Sequence, residues 1–126
     1  MHALVVDDSR AMRAVLGRIL REVGFAVVEA GHGKEALELL EERHSAQPFD
    51  LLLVDWNMPE MNGCELIRRV RADAAYQDIR ILMVTTETEI GRVAKALEAG
   101  ADEYAMKPFT KEVILEKLAI LGLAVP

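Results

Sequence analysis

The chain has 126 residues, of which 52% are hydrophobic and 29% charged, and its formal net charge is −6. This length and composition predict a single globular domain with its own core and exclude a disordered chain. No apolar run approaches the roughly 18 residues of a membrane span, and the first residues lack the basic and apolar regions of a signal peptide. The negative charge argues against direct binding of nucleic acid.

Cys64 is the only cysteine in the sequence, so no intrachain disulfide can form. We interpret it as a small buried or half-buried residue rather than a nucleophile. Because the chain has neither a disulfide framework nor a secretion signal, a cytoplasmic location is the default expectation.

Short apolar runs alternate with helical patterns five times along the chain. Strands are predicted at residues 3–6, 25–29, 51–54, 81–84 and 102–105. Helical periodicity is found over residues 12–23, about 34–43, about 63–74, about 89–99 and 113–121, with Ser9 and Gly24 as caps of the first helix. The side chains expected to face the core are Met12, Val15, Leu16, Ile19, Leu20, Val23, Ala36, Leu37, Leu40, Leu66, Ile67, Val70, Val93, Ala94, Leu97, Val113, Ile114, Leu118 and Leu121.

The predicted strands are continuous apolar runs rather than alternating ones. This pattern is typical of a parallel sheet that is covered by helices on both faces, so the fold class is α/β and doubly wound. The sequence contains no repeat, low-complexity segment or linker. We therefore expect one domain over residues 1–126, with no output domain.

Polar residues follow several of these strands at the point where the strand ends. Asp7 and Asp8 follow the first strand, Asp55 the third and Thr85 the fourth, and Lys107 lies just beyond the fifth. In an open parallel sheet the ligand crevice lies beyond the carboxyl ends of the strands, where the strand order reverses. If the strand order is 2-1-3-4-5, the three acids face one another across that crevice.

Three carboxylates at such short range repel one another strongly. Two of them at 4 Å cost about 4 kcal/mol at an effective dielectric constant of 20, and Lys107 supplies only one compensating charge. Mg²⁺ accepts carboxylate oxygens and keeps several waters, so it is the expected partner of these acids. Together with the hydroxyl of Thr85, this set predicts a phosphoryl-transfer site in which Asp55 is the nucleophile.

Each residue also has a purely structural interpretation. Asp7 and Asp8 could cap the first helix, Thr85 could cap the fourth, and Lys107 could be a solvated lysine. Their common placement at strand ends favours a site over four independent structural roles.

Four motifs, in this order and spacing, carry a family resemblance: VVDDS at 5–9, VDWNMPEMNG at 54–63, VTTE at 84–87 and KPF at 107–109. With them the chain resembles the receiver domain of two-component response regulators, and most of all the single-domain chemotaxis regulators of the CheY type. The resemblance covers essentially the whole chain. It implies a five-stranded parallel sheet of strand order 2-1-3-4-5 and a flavodoxin-like fold, and this order comes from the family rather than from the periodicity.

The resemblance also implies a role for each acid of the site. Asp55 corresponds to the phosphorylated residue of the family. Asp8, Asp55 and the backbone carbonyl of Asn57 correspond to the ligands of Mg²⁺, and Asp7 contributes directly or through water. Asn57 and Glu87, two residues after Asp55 and Thr85, correspond to the positions that tune loss of the phosphoryl group.

The family's switch residues match as well. Thr85 and Lys107 correspond to the pair that gathers around the phosphoryl oxygens, and Tyr104 to the aromatic residue that rotates inward when Thr85 moves. The bond between Lys107 and Pro108 is expected to be cis by the same resemblance.

The expected partners are a histidine kinase as phosphodonor and a target protein on the face formed by the fourth helix, fifth strand and fifth helix. A phosphatase is a further candidate partner, and the unphosphorylated protein is expected to be a monomer. The chain would not be an enzyme beyond its own phosphorylation and dephosphorylation. Lys117 matches the motor-binding members, whereas residues 88–91 are less basic than theirs.

Three other functions are compatible with parts of the pattern. A Mg²⁺-dependent phosphohydrolase needs an acid two residues after its nucleophile, where this chain has Asn57. A flavin module needs a phosphate-binding loop after the first strand, where the acids Asp7 and Asp8 would repel phosphate. A phosphorelay component or a pseudo-receiver that only binds partners is the third, and the complete acid set argues against the pseudo-receiver.

Overall fold

The computed structural model describes residues 1–86 and 90–123. Its strands are β1 (His2–Val6), β2 (Ala26–Ala30), β3 (Leu51–Asp55), β4 (Arg80–Thr86) and β5 (Glu103–Lys107). Its helices are α1 (Arg10–Glu22), α2 (Gly33–Arg43), α3 (Gly63–Ala72), α4 (Ile90–Ala99) and α5 (Lys111–Ile120), and a short 3-10 helix covers Ala74–Tyr76. No helix in these two ranges is long and apolar enough to cross a bilayer.

The five strands form one parallel sheet in the order β2-β1-β3-β4-β5, which confirms the predicted strand order. Paired residues at the carboxyl ends are Val6 with Val54, Asp55 with Val84, and Thr86 with Lys107. This register brings the polar residues that follow β1, β3 and β4 to one edge of the sheet.

Two buried layers, one on each face of the sheet, form the core. Alternate residues of the strands supply both layers because neighbouring side chains of a strand point to opposite faces. Leu40, Ile67 and Ala96 belong to the layer under α2, α3 and α4. Leu20 and Ile114 belong to the layer under α1 and α5. The doubly wound fold class is therefore confirmed.

Two helices bury a narrower face than their periodicity predicted. Val15 in α1 is 48% exposed and Leu97 in α4 is 42% exposed, and Ala94 is also exposed, so these three predictions of buried side chains are wrong. Among the α4 residues whose burial the structure describes, the buried positions are Val93 and Ala96. They lie three residues apart on one narrow stripe, so the helix has exposed apolar side chains beside that stripe.

The end of α3 also differs from the prediction. The helix ends at Ala72 and a 3-10 turn follows, whereas one helix was expected to residue 74. Asp73 causes the break, because its backbone is extended and its carboxylate accepts a hydrogen bond from the N–H of Ala75 at 2.9 Å. Such side-chain acceptors compete with the helical hydrogen-bond pattern.

Candidate functional site

Three acids converge at the carboxyl ends of β1 and β3. Asp55 is the last residue of β3 and is 6% exposed, Asp7 follows β1 and is 1% exposed, and its neighbour Asp8 is exposed. One carboxylate oxygen of each acid lies within 4.8 Å of the others. Two of the acids are thus buried against each other, and the third opens the group to solvent.

Asp7 is held firmly by its surroundings. Its Oδ1 accepts a hydrogen bond from the N–H of Ser9 at 2.9 Å, and its own N–H donates to the carbonyl of Ala30 at 3.2 Å. Nη1 of Arg13 donates to the Asp7 carbonyl at 2.6 Å, while Nε of Arg13 pairs with Glu29 at 3.1 Å. Arg13 therefore joins α1 to the ends of β1 and β2, a role that its position in the sequence did not reveal.

Lys107 reaches this acid group from the end of β5. Its Nζ lies 3.1 Å from Oδ1 of Asp55 and 3.4 Å from Oδ2 of Asp7. The side chain is only 19% exposed, so the ion pairs are less screened by solvent than pairs on the surface. One lysine charge thus faces two buried carboxylates, with Asp8 nearby.

This imbalance perturbs the ionisation of the group. Burial is the larger cause, and the negative charge of Asp7 the second, of a pKa of Asp55 above its ordinary value of 3.8. The positive charge of Lys107 lowers this pKa, but by less than burial and Asp7 raise it. Burial lowers the pKa of Lys107, but the negative charges of Asp55 and Asp7 raise it by more, so this pKa lies above its ordinary 10.5. The site therefore lacks positive charge.

The donor set fits a magnesium ion. The converging atoms of Asp7, Asp8 and Asp55 are all carboxylate oxygens, which are the ligands that a hard divalent cation prefers. Because Asp8 is exposed, water can complete the coordination shell. A divalent cation would also supply the positive charge that Lys107 alone does not provide.

The other predicted residues lie around this group. Asn57 is exposed in the loop after β3, and Thr85 is buried near the end of β4, where it pairs with Met106 of β5. Tyr104 is half-buried on β5, three residues before Lys107. The bond between Lys107 and Pro108 is cis. Glu87 lies outside the described residues.

A close backbone approach shapes the loop that carries Asn57. The N–H of Gly63 donates to the carbonyl of Trp56 at 3.0 Å. A Cβ at Gly63 would collide with the carbonyl oxygen of Asp55 and lie 3.0 Å from Cα of Trp56. Only glycine allows the start of α3 to pack this tightly beneath Asp55. The sequence indicated a turn here but not this contact.

The match to the response regulator receiver domain spans residues 3–119. The chain belongs to this family. A chemotaxis protein CheY homolog of Campylobacter jejuni is 48% identical over 124 residues, covering 97% of this chain and 93% of that protein. Chemotaxis protein CheY1 of Helicobacter pylori is 44% identical over 122 residues, covering 96% of both chains.

A solved structure agrees with these sequence matches. The chemotaxis response regulator CheY4 of Vibrio cholerae has a TM-score of 0.85 and 34% identity, covering 95% of this chain and 97% of that one. The chain is thus a receiver domain of the CheY type, which confirms the resemblance and is consistent with two-component signalling. Domains of this type receive phosphoryl groups from histidine kinases and act on downstream targets.

Proposed function

We propose that this receiver domain is a phosphorylation switch whose phosphorylated residue is Asp55. A carboxylate oxygen of Asp55 attacks the phosphorus of a phosphohistidine on a histidine kinase. The phosphorus–nitrogen bond breaks, the imidazole keeps the electron pair, and an aspartyl phosphate forms. The chain is then a substrate and a signal carrier rather than an enzyme that turns over external substrates.

The observation that carries this proposal is the crowding of three acids around one lysine. Asp7 and Asp55 are buried and share Lys107, and Asp8 lies within 4.8 Å of both. Such an arrangement costs stability as long as it lacks a further cation. A site of this kind is selected for what it binds, because an ordinary core position would be filled by apolar side chains.

Each residue of the site has a distinct task in this reaction. Asp8, Asp55 and the carbonyl of Asn57, with Asp7 directly or through water, are the proposed holders of Mg²⁺, which when bound neutralises charge on the phosphoryl oxygens. Lys107 holds Asp55 in place before the reaction and has a mobile charge for a phosphoryl oxygen afterwards. Thr85 offers a hydroxyl from the neighbouring strand.

The proposed output surface is the face formed by α4, β5 and α5. Leu97 on α4 is 42% exposed, Tyr104 on β5 is half-buried, and Lys117 of α5 lies over the ring of Tyr104. Movement of Thr85 and Lys107 toward the phosphoryl group would be transmitted along β4 and β5 to Tyr104. The proposed partner at this face is a protein, and no nucleic acid or membrane is required.

The test is phosphorylation by a small phosphodonor, acetyl phosphate, in millimolar Mg²⁺. Intact-protein mass spectrometry should show one acid-labile phosphoryl group on the wild type and on Asp50→Asn, and none on Asp55→Asn. Asp50 is the matched control because it lies at the other end of β3 and accepts a hydrogen bond from the N–H of His2 at 2.8 Å. Phosphorylation of Asp55→Asn to the wild-type level would refute the assignment.

A second measurement separates the switch from a phosphohydrolase. The wild type is incubated with an excess of a phosphate monoester, and released phosphate is counted against protein. We expect no sustained turnover, because position 57 is Asn and cannot act as a general acid. Steady release over many equivalents would favour the phosphohydrolase instead.

A further inference from the structure

Strand β5 is an edge strand of the sheet, and its side chains alternate between two environments. Ala105 belongs to the core layer that contains Ile114 and Leu118 of α5. Tyr104 packs instead against the layer on the other face, which includes Ala96 of α4. A side chain on α5 must therefore reach around the edge of the sheet to contact the ring of Tyr104.

Lys117 of α5 makes this contact. Its Nζ lies 4.8 Å from the centroid of the Tyr104 ring and 3.3 Å from Oε1 of Glu103. The same Oε1 atom accepts a hydrogen bond from the backbone N–H of Tyr104 at 3.0 Å. Glu103 thus holds both the ammonium group and the backbone of the residue whose ring that group covers.

The environment of this group strengthens its contacts. The side chains of Lys117 and Glu103 are 21% and 19% exposed, whereas those of Lys111, which is also on α5, and its ion-pair partner Glu22 are each 45% exposed. Partial burial reduces screening of both the ion pair and the cation–π contact. A distance of 4.8 Å to the centroid lies within the range in which a cation is attracted to an aromatic face.

We propose that Glu103 and Lys117 form a clasp that holds the ring of Tyr104 and thereby sets how readily the domain responds to phosphorylation. The proposal rests on the proposed function, in which Tyr104 moves when Asp55 is phosphorylated. Movement of the ring away from Lys117 gives up the cation–π contact. Only the responding state loses this contact, so the clasp stabilises the resting state relative to the responding state. Both residues position Tyr104, and neither touches the phosphoryl group.

A simpler role for Lys117 is protection of the edge strand, since lysines on edge strands discourage pairing with other chains. That role depends on the charge being near β5 and not on the ring of Tyr104. The two roles therefore differ in what the Tyr104 ring should report.

The first arm of the test uses the unphosphorylated protein, with NMR of ring-labelled tyrosine. The chain has two tyrosines, so Tyr76, on the 3-10 turn, is an internal reference. Lys117→Met should shift the Tyr104 ring signals, Lys117→Arg should restore them, and Lys111→Met on the same helix should leave them unchanged. Unshifted Tyr104 signals in Lys117→Met would overturn the clasp and leave edge protection as the role of Lys117.

The second arm measures the response itself. Trp56 adjoins Asp55, so its fluorescence follows phosphorylation by acetyl phosphate in Mg²⁺. Lys117→Met and Glu103→Gln should reach half-maximal response at an acetyl phosphate concentration about threefold lower than the wild type, as expected for loss of one partly exposed cation–π contact. Lys111→Met should match the wild type. An unchanged midpoint in both clasp variants would overturn the proposed effect on the response.

The two arms separate the clasp from the proposed function. If the wild type accepts no phosphoryl group at all, the proposed function is refuted, and the effect on the response falls with it. The first arm does not depend on Asp55, so the contact between Lys117 and Tyr104 is still established or rejected by the ring signals.

Discussion

Replacement of Asp55 by asparagine should stabilise the protein when no divalent cation is present. Asparagine keeps the size and shape of the side chain but removes the charge. In the wild type this charge is 6% exposed and lies within 4.8 Å of the carboxylates of Asp7 and Asp8. The variant removes two repulsions and one buried charge, and it loses the ion pair with Lys107.

These opposing contributions can be compared. At an effective dielectric constant of 20, two full charges 4.8 Å apart repel by about 3 kcal/mol, and the contact of Lys107 with Asp55 at 3.1 Å is worth about 5 kcal/mol. Loss of hydration in the buried site adds a penalty of several kcal/mol for a carboxylate. The pKa of Asp55, which burial and Asp7 raise above its ordinary 3.8, agrees in direction with a net unfavourable environment for the charge. Two repulsions of about 3 kcal/mol exceed one attraction of about 5 kcal/mol by about 1 kcal/mol, so we expect a gain of about 1 kcal/mol or more in the free energy of unfolding at pH 7.

The pH dependence follows from the direction of that pKa shift. Between the ordinary value of 3.8 and the raised value in the fold, the native protein keeps a proton that the unfolded chain has released. The free energy of unfolding therefore falls as the pH rises through this window, and the full penalty applies above it. Asp55→Asn lacks this contribution, so its advantage should be small below pH 3.8 and largest near neutral pH.

The assay is urea unfolding followed by Trp56 fluorescence, at a series of pH values in a chelator of divalent cations. Asp78→Asn is the matched control, because Asp78 is exposed and should change stability by less than about 0.5 kcal/mol. A variant Asp55→Asn that is less stable than the wild type at pH 7 without Mg²⁺ would refute the reasoning. Mg²⁺ at one hundred times the wild-type Kd should stabilise the wild type by about 2.7 kcal/mol, and the same concentration should stabilise Asp55→Asn by less.

Three further changes test other parts of the site. Lys107→Met leaves two buried acids without their lysine and should cost about 2 to 3 kcal/mol in urea unfolding without Mg²⁺. The contribution of Lys107 is complete below its ordinary pKa of 10.5 and is lost as the pH rises through the raised pKa, so this variant and the wild type should converge in strong alkali. Gly63→Ala should cost about 2 kcal/mol or more, because its Cβ would collide with the Asp55 carbonyl; a neutral result would contradict the close packing. Asn57→Met should slow loss of phosphate from the phosphorylated protein by a few-fold to about tenfold, and decay at the wild-type rate would show that Asn57 does not orient the attacking water.

The sheet could be predicted well because its strands are buried on both faces. A continuous apolar run such as Leu51 to Val54 is not expected in a strand with one face in solvent. All four of these residues are at most 1% exposed. The helices were harder to predict in detail. Periodicity shows which residues share a face, but not how much of that face a neighbour covers, so Val15 and Leu97 were wrongly expected to be buried.

Contacts between loops could not be predicted from the sequence. Arg71, at the end of α3, donates to the carbonyls of Gly100 at 3.0 Å, Tyr76 at 3.0 Å and Ile79 at 2.7 Å, and it pairs with Asp102 at 2.7 Å. Most of these acceptors are backbone carbonyls, which every residue has, so no residue type marks them in the sequence. Asp102 itself was expected to begin the last strand, but it precedes β5 and binds Arg71 instead.

The acid site could be predicted from the sequence, whereas the contact of Lys117 with Tyr104 could not. Parallel strands bring their carboxyl ends to one edge whatever their side chains are, so acids that end different strands meet, as Asp7 and Asp55 do. No such rule places a helix residue beside a strand residue on the far side of an edge. Lys117 reaches Tyr104 only because α5 lies along the edge strand β5 and Glu103 draws the ammonium group toward it. The meeting of the acids therefore follows from the topology that the sequence indicates, whereas the contact that we propose to control the response is revealed only by the folded structure.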